Sequence, residues 1–242
     1  MKSLKAKKNK LYISGDSFCE SRNYPYPGPQ EGKQYAWFND VSEYFKDSHE
    51  FILDSYGSRD VQTILDNWIK IIPNLKPNDI LIICIPMFIR QRVPLRKKDW
   101  MVNKWSNGEI VNRFVTHQSW YKTSTEKIWI GNYSIERNEL DNHTNFFTQL
   151  NMCESVEENY TEVIESLYKI TPCKKYIFSW DDMKHKTDII EYKKDITEKL
   201  GWSTLDDLYK ETNGEAGREY DFHWDYKFEK IFADYIKNKF KK

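Results

Sequence analysis

The chain has 242 residues, with 37 Lys+Arg against 37 Asp+Glu, so its formal net charge is zero. That length buries a sizeable core, and the balanced charge excludes a global field drawing in nucleic acid or an anionic membrane. Cys19, Cys84, Cys153 and Cys173 are far apart with no CxxC spacing, which excludes a zinc ribbon or disulfide framework and predicts reduced thiols.

Residues 1–10 form a lysine-rich arm, read as a solvated tail. The apolar run behind it is too short for a signal peptide, and no run reaches membrane-spanning length, so a soluble cytoplasmic protein without membrane contact is expected. A first strand over residues 10–14 ends in Gly15-Asp16-Ser17. The Pro-, Gly- and Tyr-rich stretch 23–29 forbids a helix and predicts a rigid surface loop near that serine. Residues 35–45 then place Trp37, Phe38, Val41 and Phe45 at helical spacing.

Phe51-Ile52-Leu53 reads as a buried strand. Ser58 is the expected N-cap of a helix over residues 59–72, whose Val61, Ile64, Leu65, Trp68 and Ile72 form one apolar face before Pro73 stops it. Residues 80–85, Ile-Leu-Ile-Ile-Cys-Ile, are the strongest strand in the sequence and suit a parallel strand covered on both faces. The order β, α, β, α, β predicts a doubly wound sheet with ligands beyond the carboxyl ends of its strands.

Residues 87–135 break the rhythm and read as an insertion. Residues 110–117 and 127–130 suggest a hairpin or irregular strands, with basic residues and four scattered tryptophans around them. The insertion is expected either to cover the crevice or to pack on itself. Aromatic residues make up 16% of the chain, with nine Trp, which predicts some rings on a surface or cleft where sugars or bases stack. A long helix over 145–170, a fourth strand over 175–180, short helices within 187–212 and a final amphipathic helix over 224–240 complete the chain.

Two fragments carry chemistry. A strand ending in Gly15-Asp16-Ser17 presents a hydroxyl on a turn whose following backbone N–H groups are expected to bind an anion. Near the other end, Asp221 stands two residues before His223, close enough to orient the imidazole while its other nitrogen takes a proton from a serine. Each fragment alone also reads as an ordinary turn or helix start.

With Ser17 in Ile13-Ser14-Gly15-Asp16-Ser17-Phe18, Gly57 after the second strand, and Asp221 with His223-Trp224 before the last helix, the chain resembles the SGNH/GDSL hydrolase superfamily over most of its length. The resemblance implies a single α/β domain built as a flavodoxin-like three-layer sandwich around a parallel sheet. It implies Ser17 as nucleophile, His223 as base, Asp221 as acid, and the backbone N–H groups of Ser17 and Gly57 as oxyanion donors. Asp181 or Asp182 is the reserve acid. The family's asparagine after the central strand is missing. The sequence there is Pro86-Met87-Phe88-Ile89-Arg90-Gln91-Arg92, and Arg90, Gln91 or Arg92 is the expected substitute donor, Arg90 first.

The implied activity is hydrolysis of a small acyl ester, with an O-acetylated carbohydrate favoured by the aromatic content and with no metal or organic cofactor. An acyltransferase would carry the same triad. A degenerate relative that binds a glycan or a protein is the reading of a different class, and nucleic-acid binding through the basic stretches 2–10, 90–98 and 237–242 is disfavoured by the zero net charge.

Overall fold

The computed structural model describes residues 8–19, 21–23, 34–55, 59–86, 91–94, 101–105, 108–112, 114–118, 127–130, 133–136, 154–179, 187–201, 204–217 and 223–241. Its centre is a five-stranded, wholly parallel sheet of β1 (Asn9–Gly15), β2 (His49–Ser55), β3 (Ile80–Ile85), β4 (Lys174–Ser179) and β5 (Ile190–Tyr192). The spatial order is β2-β1-β3-β4-β5, the flavodoxin-like order. The direction of winding reverses between β1 and β3, and sheets of this kind bind ligands beyond the carboxyl ends of the strands at that point.

Two helical layers cover the sheet. Helices α1 (Trp37–Phe45) and α6 (Tyr226–Phe240) pack on one face, and α2 (Val61–Ile71) and α3 (Glu154–Ile170) on the other. The short helices α4 (Lys193–Leu200) and α5 (Leu205–Glu211) precede α6. The six-residue apolar run of β3 serves both layers by simple alternation. Ile80, Ile82 and Cys84 join the α1/α6 core, while Leu81, Ile83 and Ile85 join the α2/α3 core. A strand exposed on either face would need polar residues at every second position.

Local signals set the helix limits. Val61, Ile64, Leu65 and Trp68 of α2 are buried at helical intervals. Its N-cap is Asp60 rather than Ser58, the Asp60 carboxylate accepting from Thr63 N–H at 2.8 Å. On α6, Asp225 accepts from Phe228 N–H at 2.7 Å. Helix α1 is capped from elsewhere in the fold: the buried Glu229 of α6 accepts the Trp37 backbone N–H at 2.6 Å, tying the two helices of that layer together. At the amino end of the sheet, the buried Asp79 accepts from Lys10 N–H at 2.7 Å and Lys76 N–H at 2.8 Å, pinning the start of β1 to the turn before β3.

Several expectations change. Strand β5 lies where short helices alone were expected; it pairs Ile177 with Ile190 and Ser179 with Tyr192 before α4 begins. The hairpin expected of residues 110–117 with 127–130 holds for its second part, since Phe114–Gln118 pairs antiparallel with Lys127–Ile130, but the first part belongs to a separate strand. Strand Gly108–Asn112 pairs back onto Met101–Trp105. Strand Phe114–Gln118 instead joins a four-stranded antiparallel sheet with Gln91–Pro94, Lys127–Ile130 and Tyr133–Glu136. The Pro- and Tyr-rich stretch 24–30 lies outside the described residues, though its flanks, Arg22–Asn23 and Gln34–Tyr35, pair antiparallel. Trp37, Trp68 and Trp224 are fully buried core residues, so these three rings line no surface. Among the described residues, no helix is long and apolar enough to cross a membrane.

Candidate functional site

The site is built on the carboxyl end of β1, beside the point where the winding reverses. Gly15 closes the strand, and a short 3-10 turn, Ser17–Cys19, follows. The reason for glycine is space rather than a left-handed backbone, since Gly15 is not among the residues with positive φ. A Cβ there would lie 2.7 Å from Cys19 Sγ and 2.8 Å from Cys84 Cβ, closer than real contacts allow. Two thiols distant in sequence therefore meet beneath the turn. Both are free and buried, and burial pushes both thiol pKa values up, which makes them poor nucleophiles.

Asp16 shapes the turn from inside. Its carbonyl accepts from Cys19 N–H at 2.9 Å, and its buried carboxylate accepts from Phe18 N–H at 3.1 Å and from the Cys84 thiol at 3.5 Å. This corrects the expectation that the N–H groups following the serine would receive an anion. The Phe18 and Cys19 N–H groups are spent on Asp16. Further bonds fix the turn to its surroundings: Trp37 Nε1–H donates to the Phe18 carbonyl at 2.8 Å, and the Ser55 hydroxyl donates to the Cys19 carbonyl.

His223 arrives from the other end of the chain. Its carbonyl accepts from Leu205 N–H at 3.0 Å, and Trp224 forms an antiparallel bridge with Thr204. The Trp224 ring is buried against Phe18, Phe178, Phe228 and Phe232, which anchors the histidine immediately before it. The imidazole lies against the Phe18 ring, with centroids 4.7 Å apart and planes tilted by 30°. The buried Lys193 holds its ammonium 4.1 Å from the centre of that same phenyl ring.

In this setting Ser17 Oγ lies 2.9 Å from His223 Nε2, although the residues are 206 positions apart. With the Nδ1–H tautomer, the hydroxyl donates to Nε2, which is the geometry of a nucleophile and its general base. Both residues are half-buried, so the pair is neither sealed in the core nor fully solvated.

The two distant residues expected to react together are thus brought within hydrogen-bonding distance. Asp221, Gly57 and Arg90 lie outside the described residues, as do Asp181 and Asp182. Gln91 and Arg92 stand on the strand Gln91–Pro94, where their backbones pair with His117 and Thr116. Isolated motifs do not point to Phe18, which supports the imidazole, or to Ser55, which holds the end of the Ser17 turn. Adjacency to Ser17 was the available signal for Phe18; nothing in sequence marks Ser55. No protein-family model matches the chain, and no curated protein matches it.

Proposed function

We propose that the chain is a serine hydrolase of the SGNH/GDSL type that cleaves a small acyl ester. The observation that carries this reading is the 2.9 Å approach of Ser17 Oγ to His223 Nε2. A second support is their place at the carboxyl edge of a parallel sheet, where its winding reverses and such sheets bind ligands.

In this mechanism His223 Nε2 accepts the Ser17 proton as Oγ attacks the ester carbonyl. The tetrahedral intermediate collapses to an acyl-serine, and the departing alkoxide takes the proton from Nε2. Water then gives a proton to Nε2 and attacks the acyl carbon, releasing the carboxylic acid and restoring the hydroxyl. Asp221 is the acid assigned to brace the imidazole, and the Ser17 and Gly57 N–H groups are the assigned oxyanion donors, with Arg90 in place of the family's asparagine. Removing one such donor costs about 3–4 kcal/mol of transition-state stabilisation, so a substitute is required for brisk turnover. An O-acetylated carbohydrate is the proposed substrate class.

An acyltransferase differs only in the alcohol that resolves the acyl-serine, and product analysis with added sugar acceptors separates the two. Ser17→Ala is expected to reduce turnover of a short nitrophenyl ester at least about 1000-fold while leaving the melting temperature nearly unchanged. Undiminished turnover in that variant contradicts the assignment, and no turnover by the wild-type chain favours a binding protein on the same fold.

A further inference from the structure

We infer that Asp54 and Arg59 form a positioning clamp that holds the Ser17 turn in its reactive place. This rests on the hydrolase reading above for its consequence in catalysis, but the clamp itself stands on geometry. Strands β1 and β2 run side by side, with Ser14 opposite Asp54 and Gly15 opposite Ser55. The nucleophile turn is therefore fastened to the end of β2 on both sides. Before the turn, Ser14 Oγ donates to Asp54 Oδ2 at 3.3 Å; after it, Ser55 Oγ donates to the Cys19 carbonyl.

Arg59 locks that end of β2. Its side chain is only 3% exposed, and it reaches back five residues with Nη1 2.6 Å from the Asp54 carbonyl and Nη2 2.6 Å from Asp54 Oδ1. The same Nη1 lies 3.5 Å from Ser14 Oγ, and Asn67 Nδ2 donates to Asp54 Oδ2 at 2.9 Å. One planar guanidinium thus grips the backbone and the carboxylate of a single residue, a fork that lysine cannot reproduce. Removing it leaves the Asp54 carboxylate to Ser14 and Asn67 alone, frees the Asp54 carbonyl, and so loosens the strand end on which Ser55 sits. A displacement of about 1 Å at a reacting atom costs up to about 100-fold in rate even when the altered residue never touches substrate.

The test compares Arg59→Lys and Arg59→Ala with the wild-type chain on a short acyl ester. Circular dichroism and thermal melting first establish that each variant is folded, with Asp54→Asn as the milder alternative. The clamp predicts a fall in kcat of tenfold or more with KM little changed. Added guanidinium is expected to restore part of the rate in Arg59→Ala and none in Ser17→Ala. Wild-type kcat in folded Arg59 variants overturns the clamp. If the wild-type chain has no Ser17-dependent turnover, the hydrolase reading fails instead, and amide hydrogen exchange still decides the clamp. Faster exchange at Phe18 and Cys19, with helices α2 and α3 unaltered, supports it; unchanged exchange there overturns it.

Discussion

Ser17 and His223 each occupy a few residues of recognisable sequence, and both were legible before any fold was in view. What sequence could not convey is the support beneath them: the Phe18 ring under the imidazole, the Trp224 anchor behind it, and the Cys19–Cys84 contact that leaves no room for a side chain at Gly15. Those contacts join residues from opposite ends of the chain and have no local signature. The loss of the Phe18 and Cys19 N–H groups to Asp16 was equally hidden, because it depends on the Asp16 side chain folding back over the turn. A residue-scale prediction follows for Asp54. Burial pushes its carboxyl pKa up, but the Arg59 guanidinium, with Asn67 and Ser14, outweighs this and holds it below the ordinary 3.8. A depressed acid stabilises the fold above its unfolded value, and that contribution is lost as pH falls through the folded value. The stability gap between wild type and Asp54→Asn, measured by denaturant unfolding across pH, is therefore expected to be widest near neutrality and to narrow below about 3.8. The gap is modest, since the Asp54 side chain is 41% exposed and solvent screens it.

At the scale of elements, legibility followed length and periodicity. Strand β3 was plain because six apolar residues serve two cores at once, and α2 because its buried residues repeat at helical spacing. Strand β5 escaped because three residues give no alternation to read; pairing with β4 makes it a strand. The cap of α2 moved from Ser58 to Asp60 because both residue types cap helices equally well and only the position of the first turn separates them. The Ser17 turn itself offers a sharp element-scale test. Gly15→Ala places a methyl group 2.7 Å from Cys19 Sγ and 2.8 Å from Cys84 Cβ. Relieving that overlap is expected to cost about 1–3 kcal/mol of stability and to move the turn. Paired measurements of melting temperature and ester turnover check this, with both expected to fall; a variant that keeps both would refute the close packing described under Gly15.

Across the whole molecule, the buried Asp79 tie and the Ser17–His223 pair occupy opposite ends of one sheet. Asp79 ties the start of β1 to the turn before β3, whereas Ser17 and His223 meet at the carboxyl edge, beside the reversal of winding. The doubly wound architecture was readable from the alternation of strands and helices. The strand pairing between residues 91 and 136 was not, since it sends Gly108–Asn112 and Phe114–Gln118 to different partners. The central claim is that a hydroxyl and an imidazole 206 residues apart work as one reactive pair. Fluorophosphonate labelling followed by peptide mass spectrometry tests it most directly. The account predicts rapid modification confined to Ser17 in the wild-type chain and its near-complete loss in folded His223→Gln; equal labelling in the two proteins, or none in the wild type, would contradict it.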